Sequence, residues 1–473
     1  MTTTTTTSPS GIGLSRRQAA ILVVVLLADV LDLMDSTITN VAAPTIVREI
    51  GGGETLVKWL GASYALAIGV LLVVGGRLGD RYGKRRIFLI GIAGFTIASL
   101  ICGSSIDPTM LIGARLLQGG FGALLIPQGI SILIGALRRE QLPFVFSLFG
   151  PVMGASAVLG PIAAGLIIGA DIGGLTWRPM FLINIVLGTI GFIVAYRVLP
   201  HEAPDAKQSI DGLGAGLLGL TMLGLIYGLI QGSTDGWDLV PILSLVVGVV
   251  GFVFFCLRQK TAANPLILPS LLRNRGFTSG LILGLAYFAA VNGFAYVVSL
   301  FFQLQLGLSS TGAALGLAPL MVGIIGSSLI ARPLIPTLGR RLVIGGLAVS
   351  LLGAAALFVT VILTGDHVNA LWTAPSILIL GAGMGACFSS IYDVAIGDVA
   401  PAEAGSASGS LSAVQQLAAA IGSAIVTTVY FSQAASHGGI HALTISVAVV
   451  GGIICLCLGL VWLLPKTAPD DHH

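Results

Sequence analysis

Three aspartates and one arginine stand inside long apolar stretches of this sequence, where a charged side chain is costly. Asp29, Asp32 and Asp35 lie at three-residue intervals in the first stretch, and Arg115 lies in the fourth. A charge at the centre of a bilayer costs at least about 2.5–3.5 kcal/mol, so such residues usually pair inside the protein and mark proton or ion paths. The pattern predicts a buried site in which carboxylates exchange protons beside a guanidinium that stays charged.

Some of these charged residues have a second interpretation. Arg115 lies about one helical turn into its apolar stretch, so its side chain could also snorkel to the outer surface. The three aspartates span a sector of about 120° on an ideal helix, and they cannot all contact one small site equally. We therefore favour Asp29 as a residue that faces a water-filled vestibule and tunes the local potential.

The composition indicates that the surrounding elements are membrane-spanning helices. Of the 473 residues, 55% are hydrophobic and only 9% are charged, which is too little charge for a soluble surface. A span needs about 20 mainly apolar residues. The sequence predicts an all-α membrane protein with fourteen spans, at about 19–44, 58–75, 87–105, 109–136, 143–169, 179–199, 212–231, 239–257, 277–304, 312–331, 342–363, 372–394, 406–432 and 441–464.

The basic residues predict the orientation of these spans. Of the 23 Lys and Arg residues, all but four fall in loops on one side of the predicted topology. Cytoplasmic loops carry such an excess of positive charge. We therefore expect both termini to be cytoplasmic and the protein to lie in a bacterial inner membrane.

Weak internal repetition divides the chain into two halves. Leu117–Ala123 resembles Leu380–Ala386, and Gly83–Arg85 resembles Gly339–Arg341, which places spans 1–6 opposite spans 9–14. Asp80 and Arg115 have no charged counterpart in the second half, so proton chemistry is expected in the first. The predicted parts are a disordered N-terminus (1–18), a six-helix bundle (19–200), two inserted helices (201–257), a cytoplasmic linker (258–276), a second six-helix bundle (277–464) and a tail (465–473).

A loop after the second span suggests how such a protein would close. Gly76–Arg86 combines glycines that permit a tight turn, an acid and a basic cluster. It resembles the signature loop of the major facilitator superfamily, and the resemblance makes Asp80, Arg81, Gly83 and Arg85 gating residues. An ordinary positively charged cytoplasmic loop is the alternative.

Two further stretches are similar to motifs of the same superfamily. Arg115–Gly122 resembles its second motif, and Gly154–Gly165 resembles the motif of its antiporters. Small residues with a proline give a flat, kinked helix face against which two halves can close, so Gly154, Gly160 and Pro161 are candidate gating residues. Simple close packing of small residues is the other interpretation of this face.

Motifs along the whole chain resemble the fourteen-span drug/proton antiporters of that superfamily. They are Asp35–Pro44, Trp177–Arg178, Phe181–Asn184, Asp211 with Gly214, and Phe302–Gln303. The resemblance implies two pseudo-symmetric six-helix bundles with two inserted helices, and proton-coupled efflux of amphipathic, cationic compounds such as drugs, dyes or biocides. It makes Asp35 the first choice as proton carrier, Asp32 the second and Arg115 their partner. Asp29 and Asp32 depart from the family pattern, where apolar residues are expected.

Polar and aromatic residues on the apolar spans are candidates for contact with a small-molecule substrate near the bilayer midplane. Tyr392 with Asp393 combines a ring and a charge suited to a cation, although Asp393 could equally lie at the cytoplasmic interface with Asp398. Each of the others could equally be an ordinary packing residue. The candidates are Asn40, Tyr64, Gln118, Phe149, Asn292, Tyr296, Gln303, Tyr392 and Asp393.

The sequence gives no support to several other classes of protein. We find no metal-ligand spacing, catalytic triad or nucleotide-binding loop, and the five cysteines lie in apolar runs. We predict no enzyme, no cofactor or metal beyond the coupling proton, no nucleic-acid partner, and a monomer in the lipid bilayer. Export of a specific metabolite or lipid by the same machinery is the alternative function.

Overall fold

The protein is built from helices. The computed structural model describes residues 14–201, 211–263, 265–396, 399–400 and 403–465, and all regular elements in these ranges are helical, as predicted. The α-helices are α1 (Arg16–Ile50), α2 (Gly53–Tyr82), α3 (Lys84–Gly103), α4 (Pro108–Ala136), α5 (Leu142–Ala170), α6 (Pro179–Val198), α7 (Gly212–Asp235), α8 (Leu239–Thr261), α9 (Pro269–Arg273), α10 (Arg275–Leu304), α11 (Ser310–Gly316), α12 (Ala318–Ala331), α13 (Ile335–Leu338), α14 (Arg340–Thr364), α15 (Ala370–Ile396), α16 (Ala404–His437) and α17 (Gly439–Leu460).

Eleven helices in these ranges are long and apolar enough to cross a membrane. They are α2, α3, α4, α6, α7, α8, α10, α14, α15, α16 and α17. Helices α1 and α5 are 35 and 29 residues long, and α12 is a shorter apolar helix. The protein is therefore a multi-pass membrane protein, whereas the total of fourteen spans remains a prediction.

Two local features differ from the sequence-based expectation. The predicted span 312–331 is divided at Leu317 into α11 and α12. The predicted turn at 76–86 is also shorter than expected, because α2 continues as a regular helix to Tyr82. The backbone bends only at Gly83, whose φ of 92° suits glycine far better than any other residue.

The helix contacts form two similar sets. In the first set (α1–α6), α1 packs on α5, α2 on α4, and α3 on α6. In the second set (α10–α17), α10 packs on α16, α12 on α15, and α14 on α17. The two sets meet where α2 and α4 contact α16 and where α5 contacts α12 and α15. A space between the sets is thus lined by helices of both.

The pair α7 and α8 lies beside these two sets. Helix α7 packs on α2 and α16, and α8 packs on α7. Many apolar side chains of α8 are exposed, such as Leu239 at 76% and Val240 at 60%. In a bilayer these side chains meet lipid rather than water, so α8 has the character of a peripheral membrane helix.

Glycines allow the closest helix packing in the second set. A Cβ added at Gly383 on α15 would lie 2.2 Å from the backbone nitrogen of Ser350 on α14, so the two backbones touch. Small residues let membrane helices approach in this way. By contrast, an added Cβ at Gly345 on α14 has no neighbour within 4 Å in the described structure.

We expect Gly383→Ala to separate α14 from α15 and to destabilise the protein. Overpacking of a tight interface costs about 1–3 kcal/mol, which would lower the thermal unfolding midpoint measured in detergent. Gly345→Ala is the matched control, and it should leave the midpoint unchanged or raise it because Ala favours helix over Gly. Equal midpoints for the two variants would contradict the packing described here.

Candidate functional site

A cavity of about 380 Å³ lies between the two sets of helices. Residues of α1, α2, α4 and α5 form one side, and residues of α10, α12, α15 and α16 form the other. Its wall is mainly apolar and includes the rings of Tyr64, Phe149, Phe288 and Phe388. A largely apolar cavity with a few polar groups is the usual form of a small-molecule site.

The two sets of helices contribute different polar groups to the cavity: both carboxylates come from the first set, and the second set supplies neutral groups. Asp29, Asp32, Ser36 and Tyr64 come from the first set. Neutral groups come from the second set, and they are Asn292, Ser412, Gln415 and Gln416. Among the described residues that line the cavity, two are carboxylates and none is Lys, Arg or His. The wall is therefore suited to a neutral or cationic ligand.

A buried ion pair lies behind the cavity wall. Arg115 on α4 pairs with Asp35 on α1, and both side chains are at most 1% exposed. The Arg115 guanidinium also donates to the Leu60 carbonyl at 3.1 Å and to Gln118 Oε1 at 2.8 Å. Arg115 therefore does not snorkel to the surface, and its contacts join α1, α2 and α4.

Neutral amides complete the surroundings of Asp35. Gln118 Nε2 and Asn184 Nδ2 donate to Asp35 Oδ1 at 2.9 and 2.8 Å. Both amides also reach Ser99 Oγ, at 2.8 and 3.4 Å respectively. The carboxylate thus has one charged and two neutral donors, which is how a buried charge is compensated inside a membrane protein.

Tyr64 connects this buried pair with the cavity. Its hydroxyl donates a hydrogen bond to Asp32 Oδ1, and its ring lies 4.2 Å from the centre of the Arg115 guanidinium. A guanidinium over a ring face is a favourable cation–π arrangement. Asp32, Tyr64, Arg115 and Asp35 therefore form one continuous network from the cavity wall to the interior, which we call the acid–arginine network.

The gating residues predicted from the Gly76–Arg86 motif lie at the end of α2 and the start of α3. Asp80 lies 3.9 Å from Arg77 one turn earlier, and the Arg81 guanidinium lies 5.2 Å from the Tyr82 ring. Arg85 donates to the Tyr196 carbonyl at 2.6 Å and contacts His201, at the end of α6. Their predicted role as a latch between the halves remains a prediction.

Only part of the predicted substrate set lines the cavity. Tyr64, Phe149 and Asn292 do so. Gln118 is fully buried in the acid–arginine network instead, because its amide is needed by Asp35 and Arg115. Tyr296, which is 43% exposed, borders a smaller neighbouring cavity.

The remaining predicted residues lie away from the cavity or outside the described side chains. Gln303 donates to Ser299 Oγ at 3.0 Å within α10. Gly160 is buried within α5, and its gating role remains a prediction. The side chains of Asn40, Tyr392 and Asp393, and the surroundings of Gly154 and Pro161, lie outside the described part of the structure.

Sequence reasoning missed several residues of the site. Ser99 and Asn184 complete the network, and only Asn184 lies in a sequence motif, Phe181–Asn184. Phe288 and Phe388 line the cavity, as do Ser412, Gln415 and Gln416 on α16. The signal for the α16 residues was a polar stripe in an otherwise apolar span.

An ion pair at one end of the inserted helices ties them together. Arg258 at the end of α8 donates to both carboxylate oxygens of Asp211, which precedes α7, at 3.0 Å for the closer contacts. These hydrogen bonds from Arg258 hold the pKa of Asp211 below its ordinary value. The motif residue Asp211 therefore fixes the entry of α7 against α8.

Long apolar helices around a partly polar cavity, with a buried ion pair beside it, define a membrane transporter. The chain belongs to the major facilitator superfamily, whose family model matches residues 25–423. This confirms the family predicted from the sequence motifs and the expectation of a transporter rather than an enzyme.

The chain is also similar to bacterial proteins connected with antibiotics. It is 40% identical to a probable actinorhodin transporter of Streptomyces coelicolor, over 88% of this chain and 73% of that protein. It is 32% identical to the puromycin resistance protein pur8 of Streptomyces alboniger, over 94% and 90%. Among solved structures, the proton:xylose symporter XylE matches with a TM-score of 0.66 at 15% identity, over 94% of this chain and 95% of that one, which shows a shared fold.

Proposed function

We propose that this protein is a proton-coupled antiporter that exports amphipathic, cationic small molecules across a bacterial plasma membrane. The observation that carries the proposal is the acid–arginine network, which links a cavity carboxylate to a buried ion pair. The names of the similar proteins, an actinorhodin transporter and a puromycin resistance protein, support efflux of antibiotic-like compounds. Export of one specific metabolite or lipid is the alternative.

The proposed cycle couples protonation to movement through Arg115. This side chain contacts Asp35 on α1, the Leu60 carbonyl on α2 and Gln118 on α4. A proton that neutralises Asp35 removes the charge that holds α1 to Arg115, and α1 also carries cavity residues. Protonation therefore changes the shape of the cavity and its attraction for a cation. Each proton that moves down the membrane potential contributes about 2.3 kcal/mol per 100 mV.

Asp32 has a separate part in this proposal. It lines the cavity, whereas Asp35 is not among the cavity-lining residues. Protons that enter with cavity water therefore reach Asp32 before Asp35. Asp32 accepts a hydrogen bond from the Tyr64 hydroxyl, and the Tyr64 ring contacts Arg115, so a change in the charge of Asp32 would act on Arg115 through Tyr64. We keep Asp35 as the principal proton carrier and treat Asp32 as the group that exchanges protons with the cavity.

The proposed architecture has fourteen spans in two six-helix bundles that rock about the cavity, with α7 and α8 inserted between them. The matching helix contacts of the first and second sets support the two-bundle arrangement. The excess of Lys and Arg in loops on one side supports cytoplasmic termini. Asp80, Arg81, Gly83 and Arg85 would then close the cytoplasmic side, and the small-residue face of α5 would be a surface on which the two bundles close.

Everted membrane vesicles provide the test of proton-driven export. Vesicles that contain the protein should accumulate ethidium when respiration energises them, and an ionophore that collapses the proton gradient should release the dye. The measured quantity is ethidium fluorescence before and after the ionophore, with vesicles lacking the protein as control. Accumulation that persists after collapse of the gradient would remove the antiport proposal, and failure to move any cationic dye would favour the metabolite or lipid alternative.

A further inference from the structure

Asp29 is a cavity carboxylate that the acid–arginine network does not use. It lies on α1 one turn before Asp32 and is only 4% exposed, and both residues line the cavity. Its Oδ2 atom is buried and accepts no hydrogen bond from the residues that the structure describes. Buried polar atoms normally have a partner, so an unpartnered acceptor on a cavity wall is a candidate contact for a bound molecule.

The charges around the cavity identify the kind of ligand that would fill this position. No described lining residue is basic. Arg115 lies behind the wall, where its Nε and Nη1 atoms bind the Leu60 carbonyl, Asp35 and Gln118 rather than Asp29. A cationic group of the transported molecule is a partner of the right charge for Asp29. A positively charged nitrogen complements a buried carboxylate, because hydrogen bonds and ion pairs to charged groups are the strong ones.

The rest of the cavity suits the body of such a molecule. Phe288 and Phe388 meet edge to face with ring centroids 5.8 Å apart, and Phe149 and Tyr64 add further ring surface. Aromatic faces attract cations and flat apolar groups. Asn292 and Gln416 supply neutral hydrogen-bonding groups from the second set.

We propose that Asp29 is a specificity-determining residue that binds a second positive centre of the substrate. Asp29 and Asp32 are neighbours on one helix face, because residues three apart in a helix lie side by side. Together they form a two-carboxylate subsite that favours dications over monocations. This inference rests on the proposed efflux function and extends it, because Asp29 contributes to cargo selection rather than to proton coupling.

Ethidium and propidium provide the test, since they share one aromatic cation and propidium carries an additional quaternary ammonium group. Efflux of both dyes is measured in the same everted vesicles for the wild type, Asp29→Asn and Asp29→Glu. Loss of one charge contact is expected to reduce propidium transport about tenfold. Ethidium transport should fall much less, so that the propidium-to-ethidium ratio drops, and Asp29→Glu should restore most of that ratio.

Controls separate this inference from a structural effect and from the proposed function. Asp171→Asn, on an exposed loop residue, should change neither dye. An equal loss of both dyes in Asp29→Asn, or no loss of either, would overturn the role of Asp29 in selection. Wild-type protein that exports ethidium in a gradient-dependent manner but not propidium would also overturn it while leaving the proposed function intact. Ethidium export that continues after the proton gradient is collapsed would instead count against the proposed function.

Discussion

Asp35→Asn is expected to abolish proton-driven export and to lower the stability of the protein. The substitution leaves Arg115, which is fully buried, without its only charged partner in the described ion pairs. Breaking a buried pair on one side costs about 3–5 kcal/mol, because the remaining charge is uncompensated. Dye accumulation in energised vesicles measures transport, and thermal unfolding in detergent measures stability.

A double variant separates these two effects. Asp35→Asn combined with Arg115→Gln removes both charges, so it should recover much of the lost stability while transport remains uncoupled from the proton gradient. Asp171→Asn serves as the control for removal of an exposed acid. If Asp35→Asn still drives uphill transport and Asp32→Asn does not, the principal proton carrier is Asp32 and our assignment is wrong.

A disulfide between α4 and α16 is expected to stop transport completely. Ser131 and Ser408 lie with their hydroxyl oxygens 3.4 Å apart, and Ser408 also donates to the Pro127 carbonyl at 3.1 Å. These contacts join the first and second sets, which must separate if the cavity is to open at this end. Ser131→Cys with Ser408→Cys should form a cross-link on oxidation, abolish dye transport, and regain it after reduction.

A second pair of residues provides a matched control for this cross-link. Thr360 on α14 and Ser376 on α15 also have their hydroxyl oxygens 3.4 Å apart, but both belong to the second set. A disulfide at this pair should leave transport largely intact, because rigid rocking does not change contacts within a set. Both variants require a background in which the five native cysteines are replaced. Transport that continues through the Ser131–Ser408 cross-link would contradict alternating access at this interface.

The fold was largely predictable because hydrophobicity in membrane proteins is a strong one-dimensional signal. Long apolar stretches gave most of the helices, and the predicted start and end of the fourth span lie within one residue of α4. The break at Leu317 was not predictable, since Ser310–Ala331 is apolar on both sides of it. Hydropathy registers the length of an apolar run but not a change of helix direction within it.

The candidate site was most predictable where charge was involved. Asp35 and Arg115 stood out because both are costly in lipid, and they do form a pair. Ser99 and Asn184, which complete this pair, carry no charge and lie far apart in the chain. Their role depends on how α3 packs against α4 and α6 and how α6 packs against α1, and a single sequence does not encode that in any local pattern. Gln415 and Gln416 were not predicted for the cavity because the polar stripe on α16 does not show by itself which neighbouring helices it faces.

The position of α7 has a consequence for how far the protein can move. Its Tyr227 ring lies 5.8 Å from that of Trp59 on α2, and the nearby Trp237 donates to Thr428 on α16 at 3.2 Å. The first contact is to the first set and the second contact is to the second set. If the two sets tilt against each other as we propose, both contacts cannot persist throughout the movement. In the proposed motion, the helix pair α7 and α8 would therefore restrain how far the two sets can tilt.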